Sequence, residues 1–372
     1  MRVVRFEHDP ALVEAFLDLS ARVYASDPHW IPPFRDAVRD QLSPEAPFFR
    51  HGEMVHFLAF EGEAPVARCS AILNSRYEED GAPIGFVGYF EAVDRPEASA
   101  AVLGEAVAWL LARGAKVVRG PVNTSTYHPY RLMTEGFERG AFFLEPYNPA
   151  YYPRHWELAG FRPCREYVSS AVDAAACAAS LEREYARSVA AGYTHRTFDR
   201  TRFDRELALM FDLSSRIFAG SWMWRPVAFE EFRALYAGLK GIMDPELCFF
   251  LYKGAEPVGF LFGVPDYGSA VRAMGGSSSL AAKVRFWLKR RQTPQVLLKT
   301  FGVVPGRRQG ANALALCHLF HRAAVERGYE QAVHALMRDD NTSLRMSERH
   351  GGETIKRYAL YEYRYEYRGA TS

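Results

Sequence analysis

An internal repeat constrains the fold of this chain more than any other feature of its sequence. Three segments recur in the same order and at one offset of about 192 residues: Leu19–Pro32 on Leu213–Pro226, with 6 of 14 positions identical, Phe57–Val66 on Phe249–Val258, and the segment after Asn148 on the segment after Asn341. Three matches in one order indicate a diverged tandem duplication. A chain of 372 residues is also long enough for two domains.

Each half of the repeat shows the same alternation of hairpins and helices. In the first half the patterns predict strands and helices in this order: strand 3–6, helix 10–24, hairpin 54–60 and 64–73, strand 84–91, helix 96–113, strand 116–122, helix 150–159 and strand 161–172. We therefore predict an N-terminal domain (1–173), a linker helix (174–192) and a C-terminal domain (193–372). The predicted fold class is α/β (α+β), with a mixed central sheet flanked by helices in each domain.

The clearest functional pattern is a strand, a basic turn and a helix within residues 295–328. Pro305-Gly306 ends the apolar strand, Arg307–Gly310 forms the turn, and the helix is predicted from about Ala311. Unpaired N–H groups and the positive end of the helix dipole attract anions, and two guanidinium groups add full charges. The turn therefore predicts a site for a nucleotide-like pyrophosphate.

The first copy of the repeat lacks this basic turn. Pro96, Glu97, Ala98 and Ser99 stand where the second copy has Arg307–Gly310. Glu97 would repel a phosphate, and no arginine of that turn offsets it. We expect only the C-terminal half to bind the anion.

The pattern Arg307-x-x-Gly310-x-Asn312 resembles the acetyl-CoA loop of the GNAT superfamily of N-acyltransferases, although Asn312 replaces the usual Gly or Ala. Residues 24–34 and 148–161 also resemble a bacterial family with two GNAT domains in tandem. The resemblance implies an acetyl-CoA or longer acyl-CoA co-substrate and acyl transfer to an amine by direct attack. It assigns cofactor contacts to Val303, Val304, Arg307, Arg308, Gln309, Gly310, Ala311, Asn312 and Asn341.

The same resemblance leaves the proton donor open. GNAT enzymes usually place a tyrosine acid seven residues after an asparagine in the last helix, and counting from Asn341 gives Glu348 instead. Glu348 would act as an acid or base if burial raised its pKa, and is otherwise an ordinary residue of a helix surface. Asn341 is either a helix N-cap, a cofactor contact, or both.

Candidate acceptor contacts come from an insertion in the first half, within residues 123–137. It is either an ordered loop packed at the domain junction or a lid that shapes the acceptor pocket with Tyr127, His128, Tyr130 and Arg131. Trp224 and Asp266 are further candidates, with a structural role and a turn-forming role as the alternatives.

A second insertion contains a basic helix predicted near Ser279–Arg291. Leu280, Val284, Trp287 and Leu288 share one side of it, and five basic residues accompany them: Lys283, Arg285, Lys289, Arg290 and Arg291. One interpretation packs the apolar side inwards. The other makes the helix a peripheral membrane contact for anionic lipid, or a basic patch for the 3′-phosphate of CoA.

Composition excludes several other classes of protein. A net charge of +2 argues against dense nucleic-acid binding, and five scattered cysteines without a CxxC pattern indicate a reducing compartment. Neither a signal peptide nor a membrane span is evident, so we expect a cytoplasmic protein, with the inner face of the membrane as an alternative. His318 and His321 lie one helical turn apart without an evident third ligand, and no metal is predicted.

The sequence predicts an acyltransferase whose acceptor is a small-molecule or lipid amine. Two alternatives stay open: a non-catalytic CoA-binding scaffold, and a tandem-GNAT transferase that uses aminoacyl-tRNA. The absence of a CoA loop from that second group argues against it. The oligomeric state is not predicted.

Overall fold

The computed structural model describes residues 1–293, 295–306 and 310–365. The chain divides by packing into two compact units. The first comprises Met1–Glu166, Ala270–Leu288 and the described part of Lys356–Ser372, and the second comprises Tyr167–Ser269 and Lys289–Ile355. The boundaries at 173 and 193 come from the sequence repeat and stay a prediction.

Strands and helices alternate through both halves of the chain. Up to Asp173 they are β1 (Arg2–Phe6), α1 (Pro10–Val23), α2 (Arg35–Leu42), β2 (Gly52–Glu61), β3 (Ala64–Glu79), β4 (Ala82–Ala92), α3 (Pro96–Leu111), β5 (Val117–Gly120), β6 (Leu132–Glu135), α4 (Tyr152–Leu158) and β7 (Arg162–Asp173). The rest are α5 (Ala174–Ala190), β8 (Tyr193–Thr197), α6 (Phe203–Phe218), α7 (Phe229–Ala237), β9 (Cys248–Lys253), β10 (Glu256–Pro265), α8 (Gly268–Arg272), α9 (Leu280–Lys289), β11 (Gln295–Val303), α10 (Gly310–Glu326), β12 (Gln331–Arg338), α11 (Thr342–Arg349) and β13 (Glu353–Arg364). The elements predicted in the first half are therefore all found, with shifted ends.

The sheet of the first unit has the strand order β1-β2-β3-β4-β5-β13, and β6 also pairs with β13. Its described pairs are antiparallel except β4 with β5. α3 packs on this sheet because its alanine-rich face is buried, with Val102, Ala106 and Leu110 fully inaccessible. The apolar core therefore lies between the sheet and α3.

The sheet of the second unit has the order β7-β12-β11-β10-β9-β8, in which β11 and β12 are parallel. α10 packs along α5 and against β10 and β11. A Cβ on Gly263 would collide with the ring of Phe320, so a glycine in β10 is required for this close helix approach.

The orientation of α9 contradicts one interpretation of its sequence. Ala282 and Phe286 are buried, while Leu280, Val284 and their neighbours on the apolar side are exposed. The prediction that the apolar side packs inwards is therefore wrong, because Ala282 and Phe286 are the residues of α9 that are buried.

Candidate functional site

The candidate site begins where two parallel strands of the second unit separate. β11 and β12 pair from Gln295 and Gln331 to Leu298 and His334, and their pairing stops there. β11 continues to Val303 alongside β10. Beyond this point the two strands are not paired, and the gap between them beside the last residues of β11 is called the wedge of the second unit.

Successive backbone N–H groups of β11 point alternately towards β10 and towards β12, and only those on the β12 side face the gap. The Val304 N–H donates to the Val258 carbonyl at 2.8 Å, so it belongs to the β10 side. In an antiparallel ladder, backbone groups of successive residues point to opposite edges. The backbone groups of Phe301 therefore face the side of β12, and the predicted cofactor contact of Val304 cannot use its N–H.

The basic turn follows directly. Gly306 adopts a positive φ of 83° after Pro305, and α10 begins at Gly310. Arg307, Arg308 and Gln309 lie outside the described residues, so their predicted contacts with pyrophosphate stay predictions, as do those of Gly310 and Ala311.

Asn312 has a structural role at the start of α10. Its side chain is buried, and its Oδ1 accepts a hydrogen bond of 2.9 Å from the Ser188 hydroxyl of α5. The departure from the usual Gly or Ala therefore anchors α10 to α5. Any contact of Asn312 with a phosphate would fall to its backbone amide.

The corresponding opening in the first unit is filled by the chain itself. β4 and β5 pair in parallel only up to Phe86 and Arg119, after which the segment 121–131 begins and its first residues contact β4. The Val122 N–H donates to the Val87 carbonyl at 2.8 Å. Asn123 closes the gap further, because its Oδ1 accepts a bond of 2.7 Å from the Tyr89 N–H.

A Cβ on Gly88 would collide with the Val122 carbonyl oxygen, so this segment lies directly on β4. The start of α3 is also unlike that of α10. Glu97 lies in its first turn, and Arg95 forms an ion pair with Glu61. In the described part of the first unit, the gap beyond β4 is therefore occupied by the chain, and the start of α3 combines Glu97 with an arginine that is already paired to Glu61.

Comparison with known proteins identifies the fold. No family model matches the chain. A tandem GNAT protein from the clavulanic acid biosynthesis pathway superposes with a TM-score of 0.53 and 13% identity over 98% of both chains. A GCN5-related N-acetyltransferase from Sphaerobacter thermophilus superposes with a TM-score of 0.51 and 17% identity over 97% of this chain and 95% of its own. The chain has the tandem GNAT fold.

Two curated proteins are similar in sequence over nearly their whole length. A bacterial ceramide synthase from Caulobacter vibrioides is 26% identical over 95% of both chains. Protein YghO from Escherichia coli is 25% identical over 94% of this chain and 92% of its own. The predicted GNAT fold is confirmed, and the comparisons support the predicted enzyme class, an acyltransferase.

The predicted lid residues of this GNAT fold lie in the segment that fills the first wedge. His128 Nδ1 is 3.0 Å from the Thr124 hydroxyl, and the Arg131 guanidinium lies 3.7 Å from the centre of the Tyr130 ring. Tyr127 is half-buried in the same segment. Contacts of these residues with an acceptor stay predictions.

Asp266 and Trp224 make local hydrogen bonds. The Asp266 carboxylate accepts hydrogen bonds from the Gly268 N–H at 3.1 Å and from the Gln295 side chain at 2.6 Å, which fits a turn former. The Trp224 N–H donates to the Ser221 carbonyl at 3.0 Å. Their predicted contacts with an acceptor are untested.

The two candidates on α11 differ in outcome. Asn341 is the N-cap of this helix, and its Oδ1 accepts from the Ser343 N–H at 3.4 Å. Glu348 is exposed. The burial that an acid or base role of Glu348 requires is therefore not found, and that role remains only a prediction.

Sequence reasoning missed the neighbours of His321. His321 Nε2 lies 3.0 Å from His334 Nε2, and the ligand atoms of these two residues and Cys177 lie within 4.8 Å of one another. His321 Nδ1 contacts the Cys317 carbonyl, and His334 Nδ1 contacts the Ser347 hydroxyl. Burial lowers the pKa of His321 to about 4.

A single tautomer chain accounts for all four ring nitrogens of this histidine pair. The Cys317 carbonyl only accepts, so His321 Nδ1 donates and its Nε2 accepts from His334, whose Nδ1 accepts from Ser347. The pair is neutral and fully hydrogen-bonded, which makes it part of the core of the second unit. The register that brings His334 beside His321 has no signature in the sequence.

Proposed function

We propose that this protein is an acyl-CoA-dependent N-acyltransferase that binds its donor in the second unit. The observation that carries the proposal is the contrast between two equivalent wedges. The one between β11 and β12 leads into a basic turn and the start of α10, whereas the one between β4 and β5 is filled by residues 121–131. One chain would thus hold one donor.

In this proposal the donor runs along the edge of β11. The amides of pantetheine would pair with the last residues of this strand, around Val303, and the pyrophosphate would bind Arg307, Arg308 and Gln309 with the backbone N–H groups at Gly310 and Ala311. Two arginines can neutralise the two charges of a pyrophosphate. The first unit has Glu97 at the corresponding place.

The chemistry needs few side chains. A neutral primary amine attacks the thioester carbonyl, and a backbone N–H of β11 would stabilise the tetrahedral oxyanion. The Phe301 N–H is the candidate, because it lies on the edge of β11 that faces away from β10. The carbon–sulfur bond then breaks. The thiolate of CoA takes up a proton, the amine nitrogen loses one, and the products are an amide and free CoA.

We propose a long-chain amine as the acceptor. Ceramide is chemically the amide of a fatty acid and a long-chain amino alcohol, and a relative that aligns over nearly the whole chain is named bacterial ceramide synthase. The exposed apolar side of α9 is consistent with a lipid substrate. A fatty acyl-CoA would be the matching donor.

The proposal is tested by incubating the protein with acetyl-, octanoyl- or palmitoyl-CoA and a panel of amines, and by identifying the products by mass spectrometry. The panel contains sphinganine, a long-chain alkylamine, ethanolamine and a lysine peptide. We expect an amide from a long-chain acyl-CoA and sphinganine, with equal release of CoA. Glu348→Gln is expected to keep most of the activity, because the side chain is exposed.

Three outcomes would contradict parts of this proposal. Donor binding without amide formation from any amine would make the protein a CoA-binding scaffold. Binding of aminoacyl-tRNA without affinity for CoA would place it with the tRNA-dependent transferases. A loss of more than about tenfold in kcat with a changed pH profile in Glu348→Gln would assign proton transfer to that residue.

A further inference from the structure

The helix α9 carries an exposed apolar side that the fold does not use. Four of its residues are strongly exposed: Leu280 80%, Val284 51%, Trp287 48% and Leu288 74%. Successive residues of an α-helix are rotated by about 100°, so these four share one side of the helix. Ala282 and Phe286 face the opposite direction and are buried.

Contacts within the first unit hold α9 in this orientation. The Arg285 Nε donates to the Ala273 carbonyl at 2.7 Å. In the segment before α9, the Arg272 guanidinium donates to the carbonyls of His29 at 3.0 Å and Trp30 at 3.2 Å. The apolar side is therefore displayed by an anchored helix.

The charge around this side is of one sign. Residues 279–291 contain five basic residues and no acidic one. Lys283 lies next to the apolar side on the helix surface and is exposed, and exposed Lys289 and Arg291 follow at its C-terminal end. A leucine- and tryptophan-bearing side bordered by cations is typical of helices that lie in the interface of an anionic membrane.

We infer that α9 is an interfacial helix that docks the protein on anionic lipid bilayers. The apolar side would enter the boundary between headgroups and acyl chains, and the basic residues would contact anionic headgroups. At about 15 Å, α9 is too short to cross a bilayer. No helix in the described part of the chain has the length and hydropathy to span a membrane.

A second copy of this chain fits the same side poorly. Two α9 helices placed face to face would bring five positive charges against five others without a compensating carboxylate in either segment. An anionic lipid surface has the complementary charge. This inference does not depend on the proposed acyl transfer.

The test is flotation of the full chain with vesicles of 1:1 phosphatidylglycerol and phosphatidylethanolamine, and with neutral phosphatidylcholine vesicles. We expect binding to the anionic vesicles that weakens with salt, and little binding to the neutral ones. Leu280→Ser/Leu288→Ser should reduce binding about tenfold or more, because it removes two lipid-facing side chains. Leu144→Ser/Leu158→Ser, two exposed leucines elsewhere in the first unit, is the matched control and should bind normally.

A spectroscopic readout separates insertion from simple attraction. Brominated lipids should quench the tryptophan fluorescence of the wild type, and Trp287→Phe should keep vesicle binding while losing most of that quenching. Absence of binding to anionic vesicles, or equal binding by both double-serine variants, would overturn the inference. So would a dimer of the wild type that Leu280→Ser/Leu288→Ser dissociates, because the side would then pair two chains.

Discussion

At the scale of single residues, His56 connects burial with stability against acid. Its ring is fully buried, with centres 5.1 Å and 5.2 Å from those of Phe6 and Phe16, and Nδ1 lies 2.8 Å from the Ser70 hydroxyl. Burial first, and then the charges of His8 and Arg68, lower the pKa of His56 to about 3. The folded protein therefore holds this imidazole neutral at pH values where the unfolded chain protonates it.

The sign of the pH dependence follows. The folded pKa is below the unfolded value of 6.5, so the stabilisation is complete above pH 6.5 and is lost as the pH falls towards 3. At pH 5 the contribution of His56 to the free energy of unfolding should have fallen by about 2 kcal/mol. Urea unfolding at pH 7 and pH 5 measures this difference.

His56→Gln is the control, because glutamine does not titrate. Its free energy of unfolding is expected to be lower at both pH values and to depend less steeply on pH than that of the wild type. Equal pH slopes in the two proteins would show that His56 titrates normally in the folded state.

At the scale of secondary-structure elements, the edge of β11 should supply the oxyanion donor. Phe301→Pro removes an N–H that faces away from β10 and should lower kcat by about 100- to 1000-fold. Phe301→Ala keeps that N–H and loses only the ring, so it should retain far more activity. Steady-state kinetics of the two variants, with circular dichroism to confirm folding, tests this.

Similar kinetics for the proline and alanine variants would contradict the assignment, because the N–H would then be dispensable. The substitution does not remove the Val304 N–H, which donates to the Val258 carbonyl at 2.8 Å in the wild type. Loss of the β10 ladder is therefore not the expected cause of a defect.

The segment that fills the first wedge makes a separate prediction. Asn123→Ala leaves the Tyr89 N–H without its 2.7 Å acceptor and should lower the free energy of unfolding by about 1–3 kcal/mol. Asn123→Asp keeps an acceptor oxygen and should lose less. Urea unfolding measures the stability, and donor affinity should not change in either variant.

If the aspartate variant lost as much stability as the alanine variant, the hydrogen bond would not be what closes the gap. If either variant bound a second equivalent of acyl-CoA, the hydrogen bond between Asn123 and Tyr89 would be what keeps the donor out of the first unit. Both readings can be made on the same protein preparations.

The elements of this fold were largely predictable from the sequence. Apolar periodicity and the Pro and Gly residues at helix ends predicted helices such as α3. The repeat predicted that both halves of the chain have the same order of strands and helices. The filling of the first wedge was not predictable, because Asn123 acts through a long-range bond to Tyr89. The exposed side of α9 was left open, since apolar periodicity does not distinguish a core from a lipid surface.

Within the candidate site, the end of β11 before Pro305 and the start of α10 at Gly310 could be predicted because local patterns determine them. The role of Asn312 could not, since its partner Ser188 lies 124 positions away in the chain. The same holds for His334, which meets His321 only through the register of the sheet and the packing of α10.

At the scale of the whole molecule, the two equivalent strand pairs of a tandem fold differ: the chain itself contacts β4 beyond the end of the β4–β5 pairing, whereas the β11–β12 pairing ends beside the strand that leads to the basic turn. The duplication supplies two equivalent helix starts, and charge separates them: Arg307 and Arg308 in the second copy, Glu97 in the first. A donor with a pyrophosphate should therefore bind once per chain. This single occupancy is the central claim.

Isothermal titration with octanoyl-CoA tests that claim most directly. We predict one equivalent per wild-type chain, an affinity about 10- to 100-fold weaker in Arg307→Ala/Arg308→Ala, and unchanged binding in Arg95→Ala, which removes an arginine at the matching start of α3. Two equivalents per chain, or one that survives the double substitution and is lost in Arg95→Ala, would contradict the account.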